Sequence, residues 1–268
     1  MALFAAVQMV SAPEVAPNLK AAGRLVAAAA AAGAKLVALP EYFCILGRHE
    51  TDKVKVRETD GSGPIQDFLA EAASRNRVWL VGGTTPLVSL NEKKVRNACL
   101  VFDSEGRRVA RYDKMHLFGL ELGEQRFDES RTIEPGDRAV ALDTPFGRIG
   151  LSVCYDLRFP ELYRSVGAVD AWFVPSAFTA VTGAAHWDTL LRARAIENQC
   201  YVVAPAQGGL HPNGRRTHGH TMIVDPWGEV LASRAEGEGV VLAELDAARI
   251  AEVRQSLPAL RHRKLEGT

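Results

Sequence analysis

Apolar positions in the first part of the chain alternate between two spacings. Short apolar runs, which are typical of buried strands, occupy residues 3–9, 35–39 and 78–83. Residues 18–32 form an Ala-rich helical pattern that ends at a glycine, and residues 64–76 begin with a proline and repeat apolar side chains at helical spacing. This part of the chain therefore predicts strands that alternate with helices.

Three strand–turn–strand segments interrupt this alternation further along. Each joins two apolar runs through a short turn rich in Asp, Pro or Gly, which is typical of a β-hairpin; the turns lie at 103–106, 143–147 and 225–228. Because a purely parallel, doubly wound sheet does not contain hairpins, the pattern predicts mixed β-sheets covered by helices. Further helices are predicted at 158–166, 186–198 and 247–256.

Composition excludes several classes of partner. The 32 basic and 32 acidic residues give a formal charge of zero, which argues against a nucleic acid or an anionic membrane held by charge. The longest apolar run, 25–34, is too short for a bilayer span of about 20 residues. The N-terminus lacks the basic start of a signal peptide. The four cysteines show no CxxC pair, so we expect a cytoplasmic protein without a zinc site.

Three residues at the ends of predicted strands are candidates for chemistry. Cys154 lies between an apolar run and a helical pattern, where nucleophiles collect in α/β folds and a helix N-terminus would lower the pKa of the thiol. Glu41 would lie at the same sheet edge, as a general base, if the two strands are parallel neighbours. Lys114 follows a hairpin strand and could hold an oxyanion. Each also has a structural interpretation, and spacing selects neither His116 nor His186 as a partner of the thiol.

Five ordered segments together resemble the nitrilase superfamily of carbon–nitrogen hydrolases. They are PEYF at 40–43, RYDKMHLF at 111–118, VCYDLRFPEL at 153–162, and the longer segments 183–207 and 219–232. The resemblance implies a four-layer αββα sandwich of α/β class with mixed sheets. It also implies a single domain, 1–268, with a C-terminal tail from about 258, in a homodimer or higher homo-oligomer that packs or exchanges these tails.

The resemblance also implies roles for individual residues. By position, Glu41 matches the general base of the family, Lys114 its catalytic lysine and Cys154 its nucleophile. The backbone N–H of Tyr155 would join the lysine in holding the oxyanion.

Relatives carry a second active-site glutamate between the lysine and the cysteine. Glu129 is the best match, while Glu121 and Glu124 lie closer to the lysine and stay open. Gly119 stands where many relatives have Asp, and this segment is slightly shorter here than in relatives, so its register is open as well.

The implied function is that of an amidase that forms a thioester on its cysteine and releases an acid and ammonia. No metal or organic cofactor is needed, because the covalent intermediate divides the barrier. Residues 192–211 resemble the branch that hydrolyses deaminated glutathione. The alternatives are an ω-amidase acting on α-ketoglutaramate, an N-carbamoyl amino-acid hydrolase and a non-catalytic binding member of the fold. Candidate substrate-binding residues are Phe178, which could equally be core, Thr179, and Arg48, which could be a solvated surface residue.

Overall fold

The computed structural model describes residues 1–123 and 125–265 of the chain. The strands in this part are β1 Ala2–Gln8, β2 Leu36–Ala38, β3 Trp79–Val81, β4 Thr85–Val88, β5 Val95–Phe102, β6 Arg108–Asp113, β7 Gly119–Leu122, β8 Gln125–Asp128, β9 Val140–Thr144, β10 Gly147–Leu151, β11 Ala171–Phe173, β12 Tyr201–Ala204, β13 Gly208–Leu210, β14 Arg216–His218, β15 Thr221–Val224, β16 Val230–Arg234 and β17 Gly239–Leu245. The α-helices are α1 Val15–Ala31, α2 Asp52–Lys55, α3 Pro64–Asn76, α4 Pro160–Ser165, α5 Ala180–Asn198 and α6 Ala247–Ser256. Three 3₁₀ helices cover Glu129–Arg131, Cys154–Arg158 and Ala259–His262.

Most strands belong to two mixed sheets of similar construction. The first has the order β17-β1-β2-β3-β5-β4, with β6 paired to β5, and the second has the order β16-β15-β12-β11-β10-β9. Each sheet contains three adjacent parallel strands, β1-β2-β3 in the first and β10-β11-β12 in the second, with antiparallel strands outside them. The three predicted hairpins are present as β5–β6, β9–β10 and β15–β16.

The layers follow the order helices, sheet, sheet, helices. Helices α1 and α3 cover the outer face of the first sheet, where Leu25 and Leu69 pack with Val37. The inner faces of the two sheets meet, and the Phe4 ring of β1 stacks on the Phe173 ring of β11 with centroids 6.1 Å apart. Helices α4 and α5 cover the second sheet. The predicted αββα sandwich is confirmed.

Local sequence signals explain where several helices begin and end. Helix α1 buries Ala22, Leu25, Val26 and Ala29, one stripe at helical spacing, and the chain turns away at Gly33, whose φ of +96° favours glycine. Helix α5 begins at Ala180, six residues before the predicted start, because the Thr179 hydroxyl caps it by accepting a hydrogen bond from the Thr182 N–H.

None of the helices in the described part of the chain has the length and apolar character needed to cross a membrane. The last described segment follows α6 as a 3₁₀ helix, Ala259–His262, and residues 263–265 are exposed.

Candidate active site

Cys154 lies just beyond the carboxyl end of β10, at the first position of a 3₁₀ helix. Its φ of +52° is in the left-handed region that favours glycine, so the nucleophile candidate occupies a strained turn. Its N–H donates to the Pro175 carbonyl oxygen at 3.0 Å, and 7% of the residue is exposed. The other three cysteines are fully buried.

The buried carboxylate of Asp156 fixes this turn. It accepts hydrogen bonds from the Val153 N–H at 2.8 Å, the Tyr112 hydroxyl at 2.7 Å and the His116 N–H at 3.0 Å. The His116 ring lies 2.7 Å from the same carboxylate and stacks on Phe159 rather than meeting the thiol. Asp156 is a positioning residue that we did not anticipate from the sequence, although it stands two residues after the cysteine.

Glu41 follows β2 and reaches the site from the opposite sheet. Its carboxylate accepts hydrogen bonds from Lys114 Nζ at 2.9 Å and Asn97 Nδ2 at 3.0 Å, and 1% of the residue is exposed. The condition that its strand is a parallel neighbour of the Cys154 strand is not met, because β2 and β10 belong to different sheets. Glu41 and Cys154 meet because the carboxyl ends of these two strands face each other across the sandwich.

Lys114 follows β6 and is fully buried between two carboxylates. Besides Glu41, its Nζ donates to Glu129 Oε2 at 2.7 Å and Oε1 at 3.0 Å. Glu129 also accepts from the Tyr42 hydroxyl and the Phe118 N–H, each at 2.7 Å. The second glutamate that the structure brings to the lysine is therefore Glu129.

Of the two other candidates for this position, the structure describes Glu121, which does not join the group. Glu121 is exposed on β7, in the hairpin that precedes Glu129. Glu124 lies outside the described residues.

Burial and charge set the protonation states of Glu41, Lys114, Glu129 and Cys154. Burial raises the pKa of Glu41 above its ordinary value of 4.5, opposed by Lys114 and assisted by Glu129. Burial alone would lower the pKa of Lys114, but the adjacent glutamates hold it well above its ordinary value. Burial likewise opposes ionisation of Glu129, yet Lys114 keeps its pKa below the ordinary value. The resting site thus holds an ammonium between two carboxyl groups.

The Cys154 thiol is protonated in this resting site. Burial, then the negative Glu41, raise the pKa of the thiol well above its ordinary value, and Lys114 only partly offsets them. The expected lowering by a helix N-terminus is wrong, because the helix here is a single 3₁₀ turn and the thiol faces a buried carboxylate. Attack by this thiol requires a base that removes its proton, and Glu41, with its raised pKa, is the base in contact with it.

A cavity opens onto Cys154 and contains most of the predicted binding residues. Its walls are formed by Glu41, Tyr42, Glu50, Phe118, Phe127, Asp128, Glu129, Cys154, Tyr155, Arg158, Ala177, Phe178, Thr179, Thr182 and Arg215. Phe178, Thr179 and Tyr155 are thus brought together with the nucleophile candidate. Arg48 is not: its side chain is 63% exposed and lies 4.0 Å from Glu14, outside the cavity.

Two cavity-lining arginines were missed in the sequence. Arg158 stands four residues after Cys154 within one of the quoted segments, so its proximity could have been inferred. Arg215 lies in the turn between β13 and β14, and nothing in its local sequence marks it as a cavity residue.

One cluster among the described residues has the composition of a metal site. Potential ligand atoms of Asp188, His218 and His220 lie within 4.8 Å of one another. None of the three lines the cavity at Cys154.

Comparisons with known proteins agree with this geometry. The family model described as carbon-nitrogen hydrolase matches residues 3–255. The deaminated glutathione amidase of Synechocystis sp. is 44% identical over 267 residues, which cover 97% of each chain. The C. elegans NitFhit protein has a TM-score of 0.91 at 39% identity, and this chain covers 65% of that longer chain with 98% of its own length. Saccharomyces cerevisiae Nit3, a member of branch 10 of the nitrilase superfamily, has a TM-score of 0.87 at 32% identity, over 98% of this chain and 97% of that one.

Proposed function

Because the chain belongs to the carbon–nitrogen hydrolase family, whose members cleave carbon–nitrogen bonds other than peptide bonds, we propose that it hydrolyses deaminated glutathione through a thioester on Cys154. The observation that carries the proposal is the fully buried Lys114 ammonium, held between Glu41 and Glu129, which share the cavity wall with Cys154. The name of the Synechocystis relative supports the choice of substrate.

The first half-reaction forms the thioester. Glu41 accepts the Cys154 proton as the sulfur attacks the amide carbonyl carbon, and the Lys114 ammonium with the Tyr155 N–H holds the developing oxyanion. Collapse of the tetrahedral intermediate breaks the carbon–nitrogen bond, and Glu41 returns its proton to the departing nitrogen. The strained turn at Cys154 supports this step because it presents the sulfur and the next N–H from one fixed segment.

In the second half-reaction, water takes the place of the thiol as the nucleophile and hydrolyses the thioester. Glu41, assisted by Glu129, takes a proton from the water that attacks the thioester carbonyl carbon. The tetrahedral intermediate then collapses with cleavage of the carbon–sulfur bond, Glu41 returns the proton to the Cys154 sulfur, and the carboxylic acid leaves. Glu129 supports this step by keeping Lys114 charged and in place, since its own carboxylate stays ionised.

The nitrogen product depends on the substrate. In deaminated glutathione the scissile carbonyl is bonded to the nitrogen of cysteinylglycine, so the products are 2-oxoglutarate and that dipeptide. The expected release of ammonia is therefore corrected for this substrate and applies to α-ketoglutaramate alone. Both amides yield 2-oxoglutarate, which gives one assay for the two.

We assign the substrate's α-keto acid carboxylate to Arg158. Its guanidinium lies 5.5 Å from the Phe178 ring centroid and 5.6 Å from that of Tyr155, inside the cavity wall. In the described part of the chain, the side-chain hydrogen bond of Arg158 is to the His186 ring, with Nη1 at 3.2 Å from Nδ1. The guanidinium is thus available for a carboxylate, with Phe178 and Thr179 forming the adjacent wall.

The test is a comparison of kcat/KM for deaminated glutathione, α-ketoglutaramate, a simple aliphatic nitrile and intact glutathione, with the acid product measured in each case. We expect the highest value for deaminated glutathione and little turnover of the nitrile or of glutathione, whose α-amino group replaces the keto group. A preference for α-ketoglutaramate would indicate the ω-amidase, and turnover of none of them would favour an N-carbamoyl amino-acid hydrolase or a non-catalytic member.

We further propose that the protein is a cytoplasmic homodimer whose single domain, 1–268, ends in a tail from about 258. The family match stops at residue 255, before this tail. Exposed apolar side chains on α5 and the β15–β16 turn, Ile196 and Trp227, support an interface on this helical face, and the four free thiols support a reducing compartment. Sedimentation at low micromolar concentration should show at least a dimer, and deletion of residues 258–268 should weaken it; a full-length monomer would overturn the dimer.

A further inference from the structure

Two arginines line the cavity, and they come from different walls. Arg158 belongs to the short helix that starts at Cys154, whereas Arg215 belongs to the turn between β13 and β14. The Arg215 guanidinium lies 5.5 Å from the Phe127 ring centroid, on the side formed by the β7–β8 hairpin. The cavity therefore presents two separate cationic positions to a substrate.

A row of aromatic rings separates the two guanidinium groups. Phe118 contacts Phe127 on one side, with centroids 5.6 Å apart, and Tyr155 on the other, at 5.3 Å. Arg215 stacks at the Phe127 end of this row and Arg158 at the Tyr155 end. A bidentate contact needs each carboxylate oxygen at about 2.7–2.9 Å from a guanidinium nitrogen. Because Arg158 and Arg215 lie over different rings, they are suited to bind two separate carboxylates.

The ion pair that Arg215 makes in the free protein is loose enough to exchange. Its Nη1 lies 3.6 Å from Glu50 Oε1, beyond hydrogen-bond distance, and both side chains are partly exposed at 32% and 48%. Glu50 already has a closer partner in Lys53, at 2.8 Å. A substrate carboxylate could therefore engage Arg215 while Glu50 keeps its lysine, at little cost because exposed ion pairs contribute little stability.

We propose that Arg215 binds the glycine carboxylate of deaminated glutathione, at the leaving-group side of the site. This inference rests on the proposed function. Deaminated glutathione carries one carboxylate on the acyl side of the scissile bond and another on the leaving group, whereas α-ketoglutaramate carries the first alone. Arg158, fixed to the segment of the nucleophile, holds the acyl part through both half-reactions. Arg215, beside the half-exposed Glu50, holds the part that departs.

It follows that Arg215 selects the substrate. Removal of its charge should affect deaminated glutathione specifically, since α-ketoglutaramate has no group for it. Removal of the Arg158 charge should affect both amides, since both carry the α-keto acid carboxylate.

The experiment compares wild-type protein with Arg215→Gln, Arg215→Lys and Arg158→Gln on three substrates. These are deaminated glutathione, its analogue with a glycine carboxamide, and α-ketoglutaramate. The matched control is Arg216→Gln, because Arg216 is 54% exposed, pairs with Glu236 and does not line the cavity. The readout is the ratio of kcat/KM for deaminated glutathione to that for α-ketoglutaramate, with KM and kcat resolved.

We expect Arg215→Gln to lower this ratio by about 10- to 100-fold, mainly through KM, as loss of one charge-assisted contact implies. The ratio for Arg215→Lys should lie between those of wild type and Arg215→Gln, and Arg216→Gln should keep the wild-type ratio. The wild-type protein should disfavour the carboxamide analogue by a similar factor, and Arg215→Gln should no longer distinguish it from the parent.

A wild-type protein active on deaminated glutathione whose ratio does not change in Arg215→Gln would overturn this assignment and leave the proposed function standing. Equal losses on both amides would also overturn it, because Arg215 would then support the site as a whole. A wild-type protein inactive on both amides would overturn the proposed function itself, and this inference with it.

Discussion

Replacement of Lys114 by Met removes the one charge that two buried carboxyl groups share. The methionine keeps most of the stem, so the packing volume changes little, but Glu41 and Glu129 lose the ammonium that lies 2.7–3.0 Å from their oxygens. Removal of one partner from a buried ion pair destabilises proteins by about 3–5 kcal/mol, because a desolvated charge is left uncompensated. We expect a loss of this order in the free energy of unfolding at neutral pH.

The kcat of Lys114→Met should fall by more than its loss of stability explains. Lys114 is the proposed holder of the oxyanion, and loss of one such donor lowers kcat by about 100- to 1,000-fold. The loss should appear chiefly in kcat; a rise in KM alone would show that the lysine binds the ground state instead.

The stability loss should depend on pH with a defined sign. Burial raises the pKa of Glu41 already, and Lys114 is what keeps the pKa of Glu129 low. We expect loss of the lysine to raise the folded-state pKa of both carboxyl groups, so the folded variant should bind extra protons as the pH falls. The difference in unfolding free energy between wild type and Lys114→Met should therefore be large at about pH 8 and smaller at about pH 5.5.

Urea unfolding at the two pH values measures this difference, with Lys35→Met, at an exposed lysine, as the control. In the Lys114→Met/Glu129→Gln double variant, removal of one orphaned carboxylate should recover part of the stability and none of the activity. A Lys114→Met protein as stable as wild type at both pH values would refute the view that this ammonium balances the two carboxylates.

Three shorter predictions concern the nucleophile and its surroundings. Cys154→Ala and Cys154→Ser should abolish hydrolysis while the melting temperature stays near that of wild type; appreciable turnover by either would contradict the thioester. The acid limb of the kcat/KM profile should lie above pH 4.5, the ordinary pKa of glutamate, because burial raises the pKa of Glu41 and activity is lost as it protonates; a limb at or below that value would contradict its role as base. Asp156→Asn turns an amide NH₂ toward a backbone N–H in either orientation, that of Val153 or that of His116, so kcat and the rate of Cys154 alkylation by iodoacetamide should both fall while KM changes little; normal alkylation would assign Asp156 to stability alone.

The fold could be predicted largely because its signals are local. Helix α3 has the predicted bounds, since Pro64 fixes its first turn, and the Asp- and Gly-rich turns marked the three hairpins. The β7–β8 hairpin carried no such signal: within the described residues it forms a sheet of two strands, and β7 is mostly exposed, so no apolar alternation predicted it.

The sequence predicted the candidates for chemistry better than their surroundings or their electrostatics. Strand ends suggested Glu41, Lys114 and Cys154 as candidates, and the resemblance to the nitrilase superfamily implied their roles. The pKa of the thiol nevertheless shifts opposite to expectation, because burial and the facing carboxylate outweigh any helix effect. The burial of the thiol and its distance from the carboxylate depend on how the two sheets pack together. The sequence of either strand alone does not determine that packing.

The arginines also show that sequence position alone does not predict which side chains reach the cavity. Arg48 and Arg215 each lie in a polar loop, and the sequence does not distinguish them. Arg48 pairs loosely with Glu14 in solvent, whereas Arg215 lines the cavity at Cys154. What separates them is the β13–β14 hairpin, whose pairing sets the turn that carries Arg215 against Phe127. A substrate with two carboxylates needs cations whose spacing is fixed by the scaffold. Specificity between the two amides is therefore expected to reside in this hairpin, while the chemistry they share resides at the strand ends.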